Sequence, residues 1–167
     1  MCIRDSFTSD QGLAVGGRHG LMGKQNLYEH FKSPFILNGP GIRKGRSDAL
    51  VHMHDLLPTI CSLAGASIPA GVEGADLAPV IRGEKRSVRD HAFGVYKDVQ
   101  RMTRDSRFKL IWYPKVRRYQ LFDLKADPWE LRDLSADAAH SPKVSELKKV
   151  LARQMDEFSD VMAERPA

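Results

Sequence analysis

Asp10, Gln11 and Lys24 stand where a strand end and the next loop would set a hard metal beside an anionic substrate. The run Phe7-Thr-Ser ends in Asp10-Gln11-Gly12, which sets a carboxylate beside an amide oxygen. A glycine-rich loop follows, with His19-Gly20-Leu21-Met22-Gly23 leading into Lys24. Hard oxygen donors suit a hard cation such as Ca2+. A nearby lysine would hold an anionic substrate and stabilise charge as it develops. The tripeptide by itself equally suits a plain turn, because Asp and Gly favour turns. His19 is a candidate donor to the same anion, with Arg18 beside it.

Alternating elements must carry these residues. Ser33-Pro34 leads into Phe35-Ile-Leu-Asn-Gly-Pro-Gly-Ile42, a buried strand ended by turn residues. A helix is expected from Asp55 as its cap, with Pro58 in the first turn and Gly65 closing it. Its apolar stripe would be Leu57, Ile60, Cys61 and Ala64. A short helix follows near 77–82, and the charged stretch 84–90 marks a boundary. Beyond it the pattern becomes antiparallel, with strands near 91–96, 100–103, 108–113 and 119–124. Asp127-Pro128-Trp129-Glu130 has the form of a capping box with proline at the first helical position. From Ser141-Pro142 a last helix is expected, its stripe made by Val144, Leu147, Leu151, Met155, Phe158 and Met162.

The composition is that of a globular chain, 42% hydrophobic and 28% charged, and no apolar run approaches a membrane span. The net charge of +5 is scattered, which disfavours a nucleic-acid partner and fits an anionic small molecule. Two cysteines, Cys2 and Cys61, make neither a disulfide framework nor a zinc signature. His52-Met-His54 has zinc-like spacing but precedes a helix cap, where no metal is expected. Residues 1–6, Met-Cys-Ile-Arg-Asp-Ser, resemble the translation of a sequencing adapter, so Phe7 is expected to begin inside a strand of a larger domain.

The order of these segments resembles the C-terminal part of type I, formylglycine-dependent sulfatases of the alkaline-phosphatase superfamily. Beyond the Asp10 corner and Lys24 loop, Asp55-Leu-Leu-Pro58-Thr59 with Gly65 is similar to the family's D-x-x-P-T…G helix. Val72-Glu-Gly74 with Leu77 is similar to its x-G-x-S-L loop, Asp76 replacing the serine. Lys109-Leu-Ile, Leu121-Phe-Asp-Leu, Asp127-Pro-Trp-Glu130 and Leu134 match its closing sheet, with Asp133 where asparagine is common. The resemblance covers nearly all of residues 7–160.

It implies an α/β fold: an incomplete C-terminal part of an alkaline-phosphatase-like core over 7–85, then a small antiparallel sheet packed on a C-terminal helix over 86–167. It further implies that Asp10 and Gln11 ligate Ca2+, that Lys24 is catalytic and contacts the sulfate, and that His19 assists. Asp98, Gln100 or Arg101 would read the substrate away from its sulfate, although this basic stretch equally reads as a charged solvent face. The substrate implied is a small-molecule or carbohydrate sulfate ester, and the protein would be exported. The family's formylglycine arises within C/S-x-P-x-R, and neither Cys2-Ile-Arg nor Cys61-Ser-Leu fits, so the chain alone is expected to be inactive. Two alternatives stand beside this reading: a phosphonate or phosphate-ester hydrolase of the same superfamily, and a small basic binding module.

Overall fold

The structure, a computed structural model, describes residues 5–16, 18–23, 27–28 and 31–161. The chain divides into two compact units, Met1–Asp10 with Ser33–Ala92, and Gln11–Lys32 with Phe93–Ala167.

In the first unit, β1 (Asp5–Thr8) pairs antiparallel with β4 (Phe35–Asn38), and Phe7 lies opposite Ile36. Asp5 and Ser6 take part because ladder hydrogen bonds use the backbone and ignore side-chain identity. The helix α1 (Leu56–Ala64) ends at Gly65, whose φ of 71° supplies the left-handed C-cap. The short α2 spans Ala78–Ile81.

Two expectations for α1 fail. Leu57 and Ile60 are 52% and 49% exposed, while Pro58 and Thr59 are the buried helix positions. Asp55 does not cap α1 with its side chain. Its carboxylate instead accepts from the backbone N–H groups of His52 (2.7 Å) and Ala75 (2.8 Å), tying together segments far apart in sequence. The Thr59 hydroxyl donates to the Asp55 carbonyl (2.6 Å) and accepts from the Leu77 N–H (2.9 Å). The D-x-x-P-T helix is therefore turned toward its polar contacts. Gly74 is required for space: a Cβ there would lie 2.0 Å from the His54 carbonyl oxygen.

The second unit is built on a four-stranded meander, in order β5 (Ala92–Tyr96), β6 (Gln100–Arg104), β7 (Phe108–Tyr113) and β8 (Arg118–Asp123). Alternation along β7 sends Leu110 and Trp112 to one face and Ile111 to the other. On the first face α3 (Ser141–Glu157) packs Leu147 against Leu110, Leu121 and Leu134, and Leu151 with Met155 against Trp112. On the second face Met102, Ile111 and Phe122 enclose Leu27, which is 1% exposed. Burial of that single leucine side chain contributes roughly 1.5–3 kcal/mol. The expected stripe on α3 is realised at Leu147, Leu151 and Met155. Phe158 is the C-cap residue and Met162 lies outside the described residues.

No helix forms over 127–137. The Glu130 N–H bonds to the Asp127 carbonyl (3.1 Å) in a turn, and Glu130 has a φ of 57°. Its carboxylate does not reach back to cap a helix, because it pairs with buried Lys109.

Candidate anion loop and metal corner

The glycine-rich segment is more ordered than its composition suggests. It forms a hairpin of β2 (Ala14–Gly16) and β3 (Leu21–Gly23), with Val15 opposite Met22. Gly16 and Gly20 have φ of 93° and 63°, conformations that favour glycine. At its tip, the His19 Nε2 lies 2.8 Å from the Trp129 carbonyl oxygen, so that ring nitrogen carries the proton and donates. The imidazole stacks on the Tyr28 ring, with centroids 4.3 Å apart and planes inclined by 12°. The Arg18 guanidinium lies over the Trp129 ring at 4.4 Å, a cation–π contact.

The exit of the loop is fixed from below. The Leu27 N–H donates to Gln100 Oε1 (3.2 Å), and Gln100 is 1% exposed. The Tyr28 hydroxyl lies 3.0 Å from that of Tyr113, and both reach Gln120 Oε1, at 2.8 and 2.6 Å. Burial and the Tyr28 hydroxyl push the Tyr113 phenol well above its ordinary range. It stays protonated and donates at every physiological pH.

The candidate residues are not all gathered together. Asp10 ends the first segment of one unit and Gln11 opens the other. His19 sits on the hairpin tip, and Lys24 lies outside the described residues. Arg101 goes elsewhere in its unit. It pairs across the ladder with Trp112, so it faces α3, whereas Leu27 lies on the opposite face. Its Nε and Nη2 donate to the two carboxylate oxygens of Asp160, just beyond α3, and its Nη1 donates to the Lys97 (2.6 Å) and Gln100 (2.8 Å) carbonyls. Arg101 and Gln100 are buried, whereas Asp98 pairs with Lys115 at 2.5 Å on the surface, so the charged solvent face holds for Asp98 and not for Arg101.

The closing motifs prove to be ties. Lys109 Nζ sits 2.9 and 2.8 Å from the two oxygens of Glu130, and both side chains are almost fully buried. Burial is the larger influence on Lys109 and lowers its pKa to about 8 even though Glu130 opposes the fall. This pair fixes the turn whose preceding residue, Trp129, offers its carbonyl to His19. Asp133 Oδ1 accepts from the Leu121 (3.1 Å) and Ser135 (2.9 Å) N–H groups. An acceptor is all those two bonds require, so aspartate serves where asparagine is common. In the first unit His52 and His54 stack at 4.9 Å beside the Asp55–Arg89 pair. Burial and Arg89 lower the His52 pKa to about 4.

The fold and these motif ties define the C-terminal part of an alkaline-phosphatase-like sulfatase. The chain belongs to the family described as N-sulphoglucosamine sulphohydrolase, C-terminal, whose model matches residues 17–157. A delta 4,5-hexuronate-2-O-sulfatase of Bacteroides thetaiotaomicron is 34% identical over 86% of this chain and 32% of its own length. A protein solved in complex with its substrate D-glucosamine-2-N,6-O-disulfate superposes with a TM-score of 0.85 at 28% identity, over 95% of this chain and 35% of that one. The phosphonate monoester hydrolase of Silicibacter pomeroyi superposes with a TM-score of 0.77 at 25% identity, over 99% of this chain and 39% of that one. The chain thus spans about a third of the length of the curated relatives it matches. Among the described residues no helix is long and apolar enough to cross a membrane.

Proposed function

We propose that this chain is the C-terminal part of a sulfuric ester hydrolase that acts on a sulfated carbohydrate and is exported. The observation that carries the reading is the family match across 17–157, which spans both the glycine-rich loop and the sheet beneath it. In this reading Lys24 contacts the sulfate and stabilises charge on its oxygens, and His19 borders the same anion. Arg101 is left out of the anion site, because its guanidinium is buried against Asp160.

The donor set at Asp10 and Gln11, one carboxylate and one amide oxygen, fits Ca2+, which prefers hard oxygen ligands. Bound calcium would supply a fixed positive charge that orients the reacting groups. Two ligands are far fewer than the six to eight oxygens that calcium takes, so the rest of the site and the formylglycine would come from polypeptide outside these residues. The chain alone is accordingly inactive.

A second reading is a phosphonate monoester hydrolase, favoured by the superposition on the Silicibacter pomeroyi enzyme. A chimera separates the two. Residues 7–160 replace the matching third of the Bacteroides thetaiotaomicron delta 4,5-hexuronate-2-O-sulfatase, and release of sulfate and of phosphonate is measured. Sulfate release that falls at least about a hundredfold with Lys24→Ala supports the sulfatase reading. Preferential turnover of phosphonate monoesters supports the second.

A further inference from the structure

We propose that Gln100 is a positioning residue for the anion-binding loop, acting from beneath it on the small antiparallel sheet. This inference rests on the reading of the loop around Lys24 as the sulfate-binding segment. Gln100 is buried on the sheet face that carries Leu27, and it works in two directions. Its Oε1 accepts the Leu27 N–H at 3.2 Å, and its side chain also hydrogen-bonds to the Tyr113 hydroxyl. Tyr113 donates to Gln120 Oε1 at 2.6 Å, and Tyr28, the residue after Leu27, donates to the same oxygen at 2.8 Å. A closed polar network therefore runs from the loop backbone through three sheet residues and back to the loop.

The opposite end of the loop is tied by His19, which donates to the Trp129 carbonyl and stacks on the Tyr28 ring. Lys24 lies in sequence between these two anchors. A lysine side chain loses much conformational freedom when it must meet an anion. Anchoring both flanks in advance reduces that loss, as preorganisation does for any binding loop. The anchor at Gln100 is a single side chain with an apolar isostere, which makes it separable from the fold.

The test uses the 167-residue chain itself, isotope-labelled, with inorganic sulfate titrated at constant ionic strength. Amide shifts of 18–23, 27 and 28 give the sulfate Kd, and hydrogen exchange at Leu27 reads the anchor. Protection of Leu147 and Leu151 in α3 reads the fold. Gln100→Met is expected to weaken sulfate binding about tenfold and to speed Leu27 exchange, the scale of one lost buried hydrogen bond, while α3 protection holds. If Gln100→Met also lowers α3 protection, Tyr113→Phe replaces it. That variant removes the hydroxyl that holds the Gln100 side chain, and a severalfold weaker Kd is expected. Wild-type Kd in Gln100→Met or Tyr113→Phe, with binding abolished by Lys24→Ala, overturns the inference and leaves the sulfate reading standing. Failure of the wild-type chain to saturate, with Lys24→Ala indistinguishable from it, overturns that reading and the inference with it.

Discussion

Arg89 grips Asp55 through two nearly equal bonds, Nη1 to Oδ2 at 2.5 Å and Nη2 to Oδ1 at 2.6 Å. The Asp55 side chain is fully buried, and its four hydrogen bonds join residue 52, residue 75 and residue 89 at one carboxylate. The arginine also reaches the Leu50 carbonyl at 3.0 Å. Three loop segments are joined here at one carboxylate.

Removing one partner of such a pair strands the other charge away from water. Asp55→Ala should therefore destabilise the first unit by about 3–5 kcal/mol, and Arg89→Met by a similar amount. The double variant Asp55→Ala with Arg89→Met should cost less than the sum of the two, since no charge is left unpaired, although the His52 and Ala75 N–H groups lose their acceptor in it. A double-mutant cycle by urea denaturation, with a probe in the first unit, checks the coupling. Additive losses would show that the knot is not a unit.

His52 gives the first unit an acid-sensitive element. Its pKa falls from 6.5 to about 4 on folding, because burial and Arg89 disfavour the charged ring. The unfolded chain then binds the proton more readily, so stability rises with pH across this window. The contribution is fully present above pH 6.5 and is lost progressively as the pH falls toward 4. His52→Gln should flatten the stability profile between those limits, as read from melting midpoints of wild type and variant. A profile that keeps its slope there would assign it to other groups.

Lys109 should act at alkaline pH and in the second unit. Burial depresses its pKa from 10.5 to about 8, so the folded chain releases the proton first. Stability from this group therefore rises as the pH climbs from about 8 toward 10.5. Above pH 10 Tyr113 opposes it, since its folded pKa is raised and the unfolded phenol ionises first. The comparison is wild type against Lys109→Met with Glu130→Met, followed by chemical denaturation from pH 7 to 10. The difference between them should move in favour of wild type with rising pH.

Calcium supplies a prediction about the corner. With two expected ligands, Asp10 and Gln11, the chain alone should bind Ca2+ with a Kd on the order of 10⁻³ M or weaker. One millimolar Ca2+ should then shift the melting midpoint hardly at all. In the chimera the same residues should matter greatly: Asp10→Ala should raise the calcium needed for half-maximal sulfate release at least tenfold. Calorimetric titration of the chain and calcium dependence of the chimera test the two halves. Micromolar binding by the chain alone would refute the two-ligand corner.

Much of the fold was legible because its signals are local. Period-two alternation and turn residues set the four strands of the meander, and Phe108–Tyr113 appears with its expected limits. The three-and-four spacing on α3 located Leu147, Leu151 and Met155 in the core. Order and spacing of weak motifs identified the family, since a shared register over most of the chain is improbable by chance.

What stayed hidden depends on which groups meet across sequence distance. Asp55 reads as a helix cap because Ser, Thr, Asn and Asp favour that position, yet its carboxylate serves Arg89 and Ala75 instead. Glu130 has the spacing of a capping box, but Lys109, buried on a neighbouring strand, needs a counter-charge more than a turn needs a cap. Arg101 looks like a surface cation until Asp160, 59 residues later, is brought beside it. The sequence by itself determined the meander, the last helix, the family and the loop that carries Lys24. Tertiary structure alone decided that Gln100, Tyr113 and Gln120 lie under that loop. Hydrogen bonds between side chains leave no period in a sequence, and they exist only once the sheet has set its faces.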